Sequence, residues 1–147
     1  MAYKGKYRVK NPSKYDGNPT NVIFRSLWER QFFRWCEDND NVVKWSSESV
    51  IIPYKCKTDN RMHRYFMDVK VKFKNGKTFL IEIKPEIQTQ PPKQPKRKSQ
   101  KYLKEVMTYV KNTSKWDAAE QYCDARGWEF KIFTEKTLKS LGIRLLT

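Results

Sequence analysis

The stretch FMDVKVKFKNGKTFLIEIKP, Phe66–Pro85, alternates apolar and polar residues on both sides of Asn75-Gly76, and the way its two halves pair decides the fold. Asn-Gly is a strong hairpin signal that permits either a two-residue loop or a three-residue loop, Lys74-Asn75-Gly76, with a left-handed glycine in a bulge. The shorter loop sets Val69 opposite Glu82 and Phe73 opposite Thr78, mixing apolar and polar side chains on one face. The longer loop pairs Phe73 with Lys77, Val71 with Phe79 and Val69 with Ile81. A slip of one residue exchanges the faces of a strand, so the side-chain pattern selects the longer loop.

In that register one face carries Val69, Val71, Phe79, Ile81 and Ile83, and the other carries Asp68, Lys70, Lys72, Leu80, Glu82 and Lys84. Asp68 falls opposite Glu82. Directly opposed side chains have Cβ atoms only ~5 Å apart, where like charges are unfavourable. Two carboxylates so placed need a cation or a shared proton. Lys84 points to the same side at the same end of the hairpin. An acid pair softened by lysines is also compatible with a solvated sheet face.

The rest of the chain weighs towards a site. Its 147 residues hold 31 Lys and Arg against 16 Asp and Glu, a net charge of +15, and its pI is near 9.8. This imbalance favours a polyanionic partner, nucleic acid ahead of anionic membrane. No apolar run approaches the ~20 residues of a spanning helix, and MAYKGKYRVKNPSKY lacks the apolar core of a signal peptide. The expectation is an intracellular protein with no membrane association. The length suits one domain, burying roughly 70% of the surface its unfolded form exposes. Cys36, Cys56 and Cys123 are odd in number and far apart, which predicts packed thiols rather than disulfides. With one histidine and no Cys-x-x-Cys pair, a structural zinc site is not expected.

Residues 1–19, with Asn11-Pro12, Asp16-Gly17 and Asn18-Pro19, read as a basic, turn-rich surface arm. Phe24, Leu27, Trp28, Phe32 and Trp35 recur at helical spacing, predicting a helix over 21–37 capped by Thr20 or Asn21, with Glu29 at the edge of the buried stripe. Val42 to Trp45 and SVIIPY, Ser49 to Tyr54, read as strands, Pro53 confining the second to an edge or an end. After the hairpin, residues 85–97 form a Pro-rich basic loop, read as extended and mobile. Two helices follow, near 98–112 and 114–126, the second closed by Gly127. WEFKIF, 128–133, alternates as a strand, and Thr134 caps a short helix in which Thr137 stands where a capping box wants Glu. A mixed β-sheet with a central hairpin, flanked by helices, is the natural packing for this order, an α/β (α+β) class.

Asp68, Glu82 and the Ile83 carbonyl are hard oxygen donors of the kind that suits Mg²⁺, with Glu29 as a further acid on the first helix. Such a site fits phosphodiester hydrolysis, the cation activating water and neutralising charge on phosphate. Lys84 could orient or deprotonate water, or stabilise charge on phosphorus.

The order Glu29, Asp68, Glu82-Ile83-Lys84 resembles the PD-(D/E)-x-K nuclease superfamily, with Met67 where its name expects Pro. MAYKGKY, NPSKYDGNP, RSLWERQFFRW, RYFMDV, FLIEIK with TQPP after it, and FKIFTEKTLKSLG together resemble the head-completion nucleases of T4-like bacteriophages over nearly the whole chain. The resemblance implies a restriction-endonuclease-like core and catalytic roles for Glu29, Asp68, Glu82 and Lys84. It further implies a Mg²⁺-dependent DNA endonuclease, with Mn²⁺ expected to substitute, that processes packaged DNA before tail joining. Head, portal or neck proteins would be its partners and the host cytoplasm its place during virion assembly, with virion association and oligomeric state left open. Arg25, Arg30, Arg61, His63 and Arg64 are inferred phosphate contacts, as are Lys96, Arg97 and Lys98 in the loop. The competing reading is a non-catalytic DNA-binding or structural head protein on a nuclease scaffold. It leaves opposed carboxylates that repel phosphate without a purpose.

Overall fold

The computed structural model describes residues 4–146, so the first three residues of the expected arm lie outside the described residues. Along the chain the elements are β1 (Gly5–Lys6), β2 (Ile23–Phe24), α1 (Leu27–Asp38), β3 (Val42–Ser47), β4 (Ile51–Cys56), β5 (Arg61–Phe66), β6 (Val69–Phe73), β7 (Thr78–Ile83), α2 (Gln100–Asp124), β8 (Glu129–Phe133) and α3 (Glu135–Ser140), with short 3-10 turns at Pro12–Lys14 and Glu86–Thr89. No helix among the described residues is long and apolar enough to cross a membrane.

The hairpin adopts the longer loop. Val69 pairs with Ile81 and Val71 with Phe79, the Phe73 N–H donates to the Lys77 carbonyl at 2.9 Å, and Gly76 closes the bulge with its N–H on the Phe73 carbonyl at 3.0 Å. Gly76 has φ +85°, a conformation that a side chain would strain. The hairpin forms the middle of a four-stranded mixed sheet ordered β3-β6-β7-β8, in which only β7 and β8 run parallel. β4 and β5 form a separate antiparallel ribbon.

Both faces of the sheet are covered. Val69, Val71, Ile81 and Ile83 pack against Phe32, Phe33 and Cys36 of α1 in one core. On the opposite face Leu80, fully buried, joins Trp116, Ala119 and Cys123 of α2 and Ile52, Tyr54 and Tyr65 of the ribbon. Each such aliphatic side chain contributes about 1.5–3 kcal/mol by leaving water. The face that carries Glu82 is therefore an interior there and not a solvated surface. All three cysteines are buried and free, as expected.

Several expectations are corrected. The first helix begins at Leu27, not at residue 21, because Phe24 belongs to β2 and Ser26 is the N-cap. Its buried face runs through Glu29, Phe32, Phe33, Cys36 and Glu37, so Glu29 lies inside the stripe rather than at its edge. The two helices expected near 98–112 and 114–126 are one, because the Thr113 and Ser114 hydroxyls both donate to the Val110 carbonyl and the backbone continues. β5 was not expected at all.

Residues 4–19 of the expected arm are not a surface appendage. Tyr7 and Tyr15 are buried against Trp45, Tyr7 also packing edge-on against Phe33. The Lys14 ammonium donates to the carbonyls of Cys36, Glu37 and Asn39 and so satisfies the C-terminal end of α1. The Pro-rich loop also departs from a fully extended segment: it begins with the 3-10 turn Glu86–Thr89, tied to α3 by the Glu86 N–H on Glu135 (2.8 Å) and by Lys136 on Glu86 (2.9 Å).

Candidate active site

The site lies at the open end of the β6–β7 hairpin, where β3 also ends. Continued two residues beyond Val69–Ile81, the hairpin register would set Met67 against Ile83, but the Met67 N–H goes instead to the Val50 carbonyl at 3.0 Å as the chain crosses from ribbon to sheet. Asp68 fills the gap with its side chain: its Oδ2 accepts the Ile83 N–H at 2.9 Å, leaving Oδ1 free of that bond. Burial, followed by the charges of Glu82 and Glu29, raises the Asp68 pKa well above the ordinary carboxylate value. The residue as a whole is half-buried.

Glu82, on central strand β7, is only 6% exposed. Its Oε2 accepts a short hydrogen bond from the Tyr65 hydroxyl, and its Oε1 stands 3.8 Å from the Lys84 ammonium. Lys84 leaves the strand end with about a quarter of its side chain exposed.

Glu29 reaches the same place from α1. Ser26 receives the Glu29 N–H at 3.2 Å and returns its hydroxyl to Glu29 Oε2 at 3.4 Å, while the Arg25 N–H meets Oε1 at 3.4 Å. These contacts are long for a buried acid. Burial pushes the Glu29 pKa up to about 7, the Arg25 N–H opposing it and the charges of Glu48 and Glu82 adding to it. The structure thus brings Glu29, Asp68, Glu82 and Lys84 together from three elements and the strand end after them.

Three participants were missed by sequence reasoning. Glu48 follows β3 in a left-handed conformation, φ +52°, with its N–H on the Met67 and Asp68 carbonyls and its carboxylate on Arg25 Nε at 3.1 Å. A non-glycine residue in that region is strained and persists only where its surroundings hold it. Tyr65, on β5, points into the site, and burial, reinforced by Glu82, keeps its proton on the phenol. Lys115, on α2, holds its ammonium 5.3 Å from the centre of the Tyr65 ring. No motif in the chain announces Tyr65 or Lys115. For the helix start, however, Ser26-x-x-Glu29 is the capping-box pattern.

The donors fit a hard divalent cation. Asp68 Oδ1, Glu82 Oε1 and the Glu29 carboxylate are oxygens with little internal satisfaction, the Ile83 carbonyl is at the same strand end, and four acids meet with Arg25 already paired to Glu48. No thiol or imidazole is part of the group. A separate cluster lies at the tip of the β4–β5 ribbon, where one ligand atom each from Cys56, Asp59 and His63 fall within 4.8 Å of one another. Its groups are satisfied locally, His63 on Asp59 at 2.8 Å and Cys56 on Thr58 at 2.9 Å.

The inferred phosphate contacts are scattered. Arg25 is beside the site but engaged with Glu48, and Arg30 lies over the Phe24 ring. Arg61 and Arg64 are exposed on β5, Arg64 packing over Phe66, and as a sequence neighbour of Tyr65 it points to the other side of the ribbon. Lys96, Arg97 and Lys98 are exposed in the connection before α2. A basic feature not anticipated lies on the Glu82 face of the sheet, where Lys44, Lys70, Lys72, Thr78 and Trp128 line a cavity of about 320 Å³. Lys44 and Lys72 are direct cross-strand partners there.

Residues 39–135 match the family described as TnsA-like endonuclease N terminal. The chain is also similar to a head completion nuclease of Enterobacteria phage T4, with 42% identity over 148 residues that cover 98% of this chain and 99% of that one.

Proposed function

Because the chain belongs to the TnsA-like N-terminal endonuclease family, of restriction-endonuclease-like fold, and is related along its length to the T4 head completion nuclease, we propose that it is a divalent-metal-dependent DNA endonuclease that acts in phage head completion. It hydrolyses phosphodiester bonds of packaged DNA before tail joining, in the host cytoplasm and in contact with head or portal proteins. The observation that carries this reading is the convergence of Asp68, Glu82 and Lys84 at one hairpin end with Glu29 facing them from α1.

Asp68 and Glu82, with the Ile83 carbonyl and Glu29, hold Mg²⁺ or Mn²⁺. The bound cation supplies activation of water and neutralisation of charge on the scissile phosphate. Lys84, beside Glu82 Oε1, orients the attacking water and donates to the phosphate as charge develops there. The Tyr65 hydroxyl occupies Glu82 Oε2 and so directs the other oxygen to the ligand. Exposed lysines of the 93–104 segment hold the DNA backbone.

The test is cleavage of plasmid and linear duplex DNA with Mg²⁺ or Mn²⁺, run beside Asp68→Ala. Metal-dependent cutting by the wild type and none by the variant is the expected result. DNA binding without cutting at any metal concentration would instead return the protein to a non-catalytic head-assembly role.

A further inference from the structure

The cations around the four acids are not equivalent. Arg25 is paired with Glu48 at 3.1 Å, and Lys84 stands 3.8 Å from Glu82. Lys115 is half-buried, and among the described residues no carboxylate lies within 4.0 Å of its ammonium. An ammonium taken from water without a counter-ion is costly, and the face of an aromatic ring compensates only part of that cost. If α2 needed only to cover the sheet at this point, a methionine or leucine would serve better.

Tyr65 connects this lysine to the acids. Its ring carries the Lys115 ammonium at 5.3 Å, and its hydroxyl is spent on Glu82 Oε2. Tyr65 thus bridges from Glu82 to Lys115 on α2, while Lys84 stands beside Glu82 at the strand end. The carboxylates that draw a cation repel a phosphate, so a substrate phosphate above them needs a positive charge that the acids have not already claimed. Lys115 is such a charge at this place.

We propose that Lys115 is a phosphate-binding catalytic residue that donates to the scissile phosphate beside Lys84, and that Tyr65 is the positioning residue that holds Glu82 with Oε1 turned to the metal. The proposal rests on the nuclease reading above. Lys115 then balances the charge of the phosphate, which Lys84 alone would share with Glu82. Tyr65 keeps Glu82 from rotating to pair with Lys84 through both oxygens.

Mn²⁺ titration by calorimetry, binding of a short fluorescein-labelled duplex in Ca²⁺ at graded salt, and cleavage in Mg²⁺ separate these roles. Lys115→Ala should keep the wild-type Mn²⁺ affinity, lower kcat by about 10²–10³-fold and raise KM severalfold as one phosphate contact is lost. It should also reduce the salt slope of DNA binding by about 1. Lys115→Arg should restore part of kcat, since the charge returns with altered geometry. Tyr65→Phe should weaken Mn²⁺ binding by about 10-fold or more, as loss of a partner to a metal ligand does, without lowering the melting temperature by more than a few degrees. A Lys115→Ala protein that cuts at the wild-type rate overturns the lysine's role, and a Tyr65→Phe protein with unchanged Mn²⁺ affinity overturns the tyrosine's. If Asp68→Ala cuts like the wild type, the nuclease site itself is misplaced. If the wild type does not cut at all, the Lys115→Ala salt slope still decides, an unchanged slope overturning the phosphate contact and a reduced one upholding it.

Discussion

Glu29 and Glu37 lie on the same helix, both buried, and are held in opposite ways. Glu37, 4% exposed, accepts the Tyr7 hydroxyl at 2.5 Å and the N–H groups of Lys10 and Asn11 at 2.8 and 2.7 Å. Every one of those donors comes from the N-terminal arm, which the acid fastens to α1. Glu29, 8% exposed, has contacts of 3.4 Å only and looks toward three other carboxylates. A buried acid supplied with donors is a structural device, and one denied them needs a cation or a proton. The two acids on α1 differ in that respect, so each can be tested against the other.

The largest effect is expected at the unsatisfied end. Asp68→Ala or Glu82→Ala should reduce metal-dependent cleavage by on the order of 10³-fold or more, the scale for groups acting as a unit at a reacting centre. Circular dichroism should show the fold kept, and a variant that unfolds would place these acids with Glu37. At the satisfied end the pattern reverses. Glu37→Ala leaves three donors without their acceptor and should cost about 3 kcal/mol, lowering the melting temperature by roughly 10 °C while Mn²⁺ affinity stays as in the wild type.

A smaller effect separates the two acids by pH. A carboxylate whose pKa is raised in the folded state binds more protons folded than unfolded between its two pKa values, so stability falls as pH rises through that window. For Glu29 the window runs from its ordinary value up to about 7. Metal-free Glu29→Gln should therefore melt higher than the wild type at pH 8 and no higher at pH 4, and saturating Mn²⁺ should erase the difference. An identical pH profile for the two proteins would show that Glu29 is already satisfied. The smallest effect concerns the connection before α2: reversing Lys96, Arg97 and Lys98 should weaken DNA binding and flatten its salt dependence, with melting unaffected. An unchanged slope would leave those residues as solvated surface.

The hairpin was legible because alternation and register constrain each other: only the three-residue loop keeps Val69, Val71, Phe79 and Ile81 on one face. Asp68, Glu82 and Lys84 were legible with it, since strand geometry places cross-strand partners and residues two apart on one side without further information. β5 was not, because RMHRYF has a single buried residue, Tyr65, and its exposed side gives no apolar period. Phe24 misled by falling at helical spacing from Phe32 through residues that are not all helical, whereas the Ser26 hydroxyl marks the true start. The division expected between residues 112 and 114 is absent, because α2 runs unbroken from Gln100 to Asp124, with the Thr113 and Ser114 hydroxyls turned onto the Val110 carbonyl. Tyr65 and Lys115 meet Glu82 only because the ribbon and α2 close over the same sheet face. That is a property of packing between distant segments, and no local pattern encodes it.

The parallel pairing of β7 with β8 bears on the order of biosynthesis. Glu82 sits on a strand whose outer neighbour comes from residues 129–133, beyond the whole of α2. A nascent chain that has exposed the hairpin alone has an open β7 edge and lacks the cover that shields Glu82. The site is therefore assembled late, when the ribosome has delivered nearly the entire protein. A chain released short of β8 would carry all four candidate acids and the lysine beside them, yet would leave the β7 edge that bears Glu82 unpaired.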